Sequence, residues 1–138
     1  MKSMVLDGSM TLGFLLEDER FASAMNVLSE LESGVPTYVP VLWWIETPNG
    51  LLMSERRKRI SQAGVAKAIG SLRRLPVITD MLGVQERTDE TLALARQHNL
   101  TIYDASYLEL ALRRDCALAS ADSALLRAAK VMGVHVIA

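Results

Sequence analysis

Residues 117–137, Ala117-Leu118-Ala119-Ser120-Ala121-Asp122-Ser123-Ala124-Leu125-Leu126-Arg127-Ala128-Ala129-Lys130-Val131-Met132-Gly133-Val134-His135-Val136-Ile137, decide the fold class. The apolar run Ala117-Leu118-Ala119 reads as a strand, and Leu125, Leu126, Ala128, Ala129 and Met132 then recur at helical spacing. Gly133 stops that helix, and Val134-His135-Val136-Ile137 reads as a closing strand. The alternation continues upstream. Met4-Val5-Leu6 reads as a strand ending at Asp7-Gly8-Ser9, followed by a short helix carrying Met10, Leu12, Leu15 and Leu16. A second helix carries Phe21, Met25, Leu28 and Leu31, Tyr38-Val39 is a short strand, and the run Val41-Leu42-Trp43-Trp44-Ile45 begins a third helix reaching Glu46. After the charged break at 55–59, Ser61 caps a helix carrying Val65, Ala68, Ile69 and Leu72. Residues 76–79 read as a strand and Thr88 opens a helix running to His98-Asn99. Residues 100–103 read as extended, with Asp104 opening the next helix. Strands alternating with helices predict one α/β domain over residues 1–138, a central, mainly parallel sheet flanked by helices.

Composition narrows the class. Half of the 138 residues are apolar and 22% are charged, which excludes a disordered chain. The formal net charge of −1 does not advertise nucleic-acid binding, so any RNA site must be local. A mean hydropathy of +0.19 points to apolar surface covered by a partner. Cys116 is the one cysteine; it excludes an internal disulfide, agrees with a reducing compartment and reads as a core thiol. Residues 1–6 lack the form of a signal peptide and no apolar run is long enough for a bilayer, so a cytoplasmic location with no membrane contact is expected.

In open parallel sheets, ligand sites form beyond the carboxyl ends of the strands. Four acids fall there by this reading: Asp7 after the first strand, Glu46 after the run 41–45, Asp104 after residues 100–103, and Asp122 after the strand 117–119. Each aspartate also reads as a helix cap, Asp104 best of all. Capping does not account for Glu46, an acid beside two tryptophans and an isoleucine, where an unpaired charge is costly. If the four converge, their repulsion raises their pKa values unless a cation sits among them, and a hard divalent ion with oxygen ligands, Mg²⁺ or Mn²⁺, suits the set. No Cys/His cluster suits zinc, because His98, His135 and Cys116 are scattered.

These motifs resemble the PIN-domain ribonucleases, in particular the toxin half of VapBC toxin–antitoxin pairs. Met4-Val5-Leu6-Asp7-Gly8-Ser9 is similar to the first family motif, and the stretch from Val39-Pro40 to Glu46, with Asn49 three residues on, is similar to the second. Tyr103-Asp104-Ala105 before an Ala/Leu-rich helix resembles the third, and Ala119-Ser120-Ala121-Asp122 the fourth, with Ser120 in place of the commoner threonine. The resemblance covers essentially the whole chain. It implies metal-binding, catalytic roles for Asp7, Glu46, Asp104 and Asp122, supporting polar roles for Ser9, Asn49 and Ser120, and hydrolysis of RNA phosphodiester bonds with Mg²⁺ or Mn²⁺. It further implies a homodimer and a small cognate antitoxin received along the early helices.

The second motif departs from the family pattern, since Thr47-Pro48-Asn49-Gly50 stands where small or aliphatic helix formers are usual. A helix restarting at Pro48 with Thr47 as its cap is expected, which would change the angle between Glu46 and Asn49. That departure keeps open a catalytically impaired PIN-like binding module. The densest positive cluster, Arg56-Arg57-Lys58-Arg59, is a candidate RNA contact as well as an ordinary solvated helix end. A phosphoryl-accepting receiver-like domain is the rival from another class, but neither its acidic pair nor its lysine after a late strand is found. A haloacid-dehalogenase-like phosphatase would need an acid where Ser9 stands.

Overall fold

The computed structural model describes residues 2–82 and 85–138. In chain order the elements are β1 (Met4–Leu6), α1 (Gly8–Leu15), α2 (Ala22–Glu32), β2 (Thr37–Pro40), α3 (Trp43–Arg56), α4 (Gln62–Arg74), β3 (Val77–Asp80), α5 (Thr88–His98), α6 (Ile102–Arg114), β4 (Ala117–Ala119), α7 (Ser123–Val131) and β5 (Val136–Ile137), with a 3-10 turn at Glu17–Glu19. Among the described residues five strands lie in the order β3-β2-β1-β4-β5 and every pairing between them is parallel, in line with the expected parallel sheet.

Strand β1 occupies the centre because all three of its side chains, Met4, Val5 and Leu6, suit burial on both faces; each is fully buried. Its register sets Met4 opposite Thr37 on one side, and Val5 and Leu6 opposite Leu118 and Ala119 on the other. From β1 the chain winds outward through β2 to β3, then returns to β4 on the opposite side of β1. The reversal opens a crevice beyond the carboxyl ends of β1 and β4, where open α/β sheets bind ligands.

Three sequence expectations change here. Residues 100–103 do not form an extended segment ending in a helix cap. Helix α6 starts at Ile102 and Thr101 is its N-cap, accepting the backbone N–H of Asp104 at 3.1 Å. The reason is visible in Thr101 itself, a hydroxyl three residues before an acid at a helix start. Nor does the helix restart at Pro48: α3 runs unbroken through it, and Thr47 is buried within the helix instead of capping it. Proline costs one intrahelical bond, but the buried stripe Trp43, Thr47, Leu51 and Ser54 keeps one helical face against the protein interior. Gly50 belongs to the same packing, since a Cβ there would lie 2.4 Å from a methyl of Leu12 on α1. The closing strand is also shorter than residues 134–137, and Val134 and His135 lead into it. Cys116 is buried immediately before β4, in keeping with a core thiol.

Candidate active site

The first acid is placed by the end of β1. Asp7 follows Leu6 directly and caps α1, its Oδ1 accepting the Met10 backbone N–H at 2.9 Å. The Ser9 hydroxyl donates to the same oxygen at 2.7 Å, and the Ser120 hydroxyl donates to Oδ2 at 2.5 Å. Ser120 lies just beyond β4, so this bond ties together the two strands flanking the crevice. The serines are tied in turn, because Ser9 Oγ accepts the Ala121 N–H and Ser120 Oγ accepts the Asp122 N–H. Burial pushes Asp7 up to about 6 against the three bonds that pull it down, and Asp104 adds to the rise.

Asp122 caps α7 with one oxygen, Oδ1, which accepts the Leu125 N–H at 2.9 Å. Asp7 and Asp122 are thus helix caps and members of the acidic group at once; the two readings do not compete. Asp104 sits in the first turn of α6, half-buried, and its pKa is raised by burial and then by repulsion from Asp122 and Glu46. Asp104 therefore lies within electrostatic reach of Asp122, the cap of α7, of Glu46 on α3 and of Asp7. Glu46, in the first turns of α3, accepts a hydrogen bond from the Tyr107 phenol at 2.7 Å. Pro48 has not turned it away. Burial, reinforced by Glu46, drives the Tyr107 pKa upward, so the phenol remains a donor.

The other expected residues separate. Asn49 is exposed on α3, three residues beyond Glu46. Arg56, Arg57, Lys58 and Arg59 lie at the far end of α3, with Arg57 closing the helix and Lys58 at a positive φ of 61°. Ten residues of helix separate Glu46 from Arg56, roughly 15 Å along the axis. Arg59 instead borders a groove of about 750 Å³ with Phe14, Leu15, Leu28, Lys67 and Arg74.

A second charged cluster went unread in the sequence. Asp80 ends β3 and pairs with both Arg113 and Arg114 of α6, while Glu109 pairs with Arg113 and with Arg87. Burial pushes Asp80 up, but the bonds from Arg113 and Arg114 prevail and hold its carboxyl below the usual range. Arg114 also stacks over Tyr38, 4.4 Å from the ring centre. Asp80 meets the same strand-end criterion as Asp7, and Glu109 with Arg113 is a plain i, i+4 pair; those were the available signals.

Comparison with known proteins adds an independent observation: the PIN domain family matches residues 4–131. The chain belongs to the PIN domain family. Over 120 residues this PIN domain is 34% identical to VapC ribonuclease Mb0985 of Mycobacterium bovis and to ribonuclease VapC9 of Mycobacterium tuberculosis, covering 86% of this chain and 85% of each relative. Among solved structures, the crystal structure of PAE2754 from Pyrobaculum aerophilum superposes with a TM-score of 0.72 at 22% identity, covering 98% of this chain and 83% of that one. A toxin–antitoxin complex from Klebsiella pneumoniae does so with a TM-score of 0.57 at 17% identity, covering 88% of each chain. Among the described residues no helix of the PIN domain is long and apolar enough to cross a membrane.

Proposed function

We propose that this PIN domain is a divalent-metal-dependent ribonuclease and the toxin of a toxin–antitoxin pair, acting in the cytoplasm. The observation that carries the reading is the placement of Asp104 where Asp122, Glu46 and Asp7 each repel it across the strand ends. The naming of similar chains as VapC ribonucleases supports it.

The donor set fits Mg²⁺ or Mn²⁺, being entirely carboxylate and hydroxyl oxygen. Among the described residues no three acidic, histidine or cysteine side chains stand close enough to enclose an ion by themselves. Mg²⁺ takes only one or two carboxylates directly, so here it would be held largely through its waters. Asp7, Asp104, Asp122 and Glu46 would hold it, Asp7 being anchored by Ser9 and Ser120. A bound divalent ion supplies an acidified water and neutralises charge building on the phosphoryl oxygens. The chain contributes the proton acceptor, for which Asp122 Oδ2 is available because only Oδ1 is used in capping. Ser9 and Ser120 keep Asp7 from turning. Arg56 to Arg59 reach only an RNA long enough to run the length of α3.

Partners follow from the surfaces. The groove between α1, α2 and α4 has an apolar floor of Phe14, Leu15 and Leu28 with charged walls, a form suited to an antitoxin segment. Val41 and Leu82 line one small hollow, and Ile45 follows Val41 by one helical turn; all three are exposed apolar side chains, which supports a homodimer.

The purified protein, freed of antitoxin, is expected to cut RNA with Mg²⁺ or Mn²⁺ present, to stop in EDTA and to resume when metal is restored. Cleavage that continues in EDTA would contradict the metal-dependent reading, and a folded, metal-loaded protein that cuts no RNA in a cellular RNA pool would contradict the ribonuclease.

A further inference from the structure

Tyr107 lies one turn along α6 from Asp104 and is buried, with 1% of its surface exposed. Its phenol donates to Glu46 Oε1 at 2.7 Å, across 61 residues of chain. One hydroxyl therefore joins α6 to α3. We propose that Tyr107 is a positioning residue, holding Glu46 by one carboxylate oxygen so that the other is presented to a divalent ion and its waters.

The inference rests on the metal-dependent reading above and deepens it. Glu46 has three rotatable side-chain bonds and is only half-buried, and its charge is repelled by that of Asp104. Left untethered, it would relax toward solvent. A hydrogen bond from a neutral donor to a carboxylate is among the stronger kinds and opposes that relaxation. A lysine or arginine in the same place would also hold Glu46, but it would cancel the charge that a cation needs. Packing alone does not call for the hydroxyl, because a phenylalanine ring would fill the same volume. Outer partners that orient metal-binding side chains typically contribute about ten- to a hundredfold in metal affinity.

The test is Mn²⁺ binding by titration calorimetry to wild type, Tyr107→Phe, Glu46→Gln and the double variant, with circular dichroism as the folding control. Tyr107→Phe is expected to weaken Mn²⁺ binding about tenfold while remaining folded. In the Glu46→Gln background the same change is expected to do nothing more, because its effect passes through Glu46. Wild-type affinity in folded Tyr107→Phe, or a second tenfold loss in the double variant, would overturn the proposal. Glu46→Asp checks the same contact without touching the core, since it keeps the charge but withdraws the carboxylate from the phenol; unchanged Mn²⁺ affinity there would also overturn it. Wild-type protein that binds no Mn²⁺ would instead remove the metal-dependent reading, and this proposal with it.

Discussion

Asp104→Asn and Asp122→Asn are each expected to slow RNA cleavage by on the order of a hundredfold or more while leaving the fold intact. Asparagine keeps the shape of aspartate and binds a hard cation far less well. The two variants also separate metal binding from capping. Asp122 caps α7, and asparagine caps nearly as well, so a capping role alone predicts full activity in Asp122→Asn. Asp104 caps nothing; Thr101 does that work, so loss of activity in Asp104→Asn has no capping explanation. Both variants also lose like-charge repulsion, and in metal-free solution they are expected to unfold at a slightly higher temperature than wild type. Single-turnover cleavage assays beside thermal melts check both statements. Full activity in either folded variant would remove that residue from the reaction.

Arg113→Ala is expected to cost about 3 kcal/mol of stability, measured by urea unfolding near neutral pH. Arg113 serves two buried acids, and the side chains of Asp80 and Glu109 are only 5% and 7% exposed. Removing it leaves Asp80 with Arg114 and Glu109 with Arg87, both more exposed, which sets the loss at the lower end of that for breaking a buried pair. Lysine at 113 is expected to recover only part of the loss, because a single ammonium cannot serve both carboxylates as the guanidinium fork does. The Asp80 pKa is lowered in the folded state, so its contribution is present above the unfolded carboxyl pKa of about 3.9 and is lost as pH falls through the lower folded value. A change below about 0.5 kcal/mol would show that the cluster is solvated rather than structural.

The sequence made the middle of the sheet legible because β1 and β4 are short apolar runs buried on both faces. Asp7 and Asp122 were legible for the same reason, since they follow the ends of such runs by one and three residues. Asp104 was misread in its local role. Ile102 and Tyr103 look extended in isolation, and only the Thr101 hydroxyl, bonded to the Asp104 amide, starts the helix two residues earlier. The expectation of a break at Pro48 followed local propensity, which the buried stripe of α3 and its close approach to α1 at Gly50 override. Tyr107 read as one apolar helix position among several. Its bond to Glu46 spans 61 residues of chain, and no periodicity reports a contact of that kind.

Mn²⁺ binding, followed by calorimetry at about pH 8 and again at about pH 5, tests the central claim that these acids form a cation site. Burial raises Asp7 to about 6 and repulsion helps to raise Asp104, so at the lower pH an ion must displace protons from the site. The account predicts binding at pH 8, several-fold weaker binding at pH 5, and loss of most of the affinity in Asp104→Asn at either pH. No heat of binding by the wild-type protein at pH 8, or the same affinity in Asp104→Asn as in wild type, would contradict it.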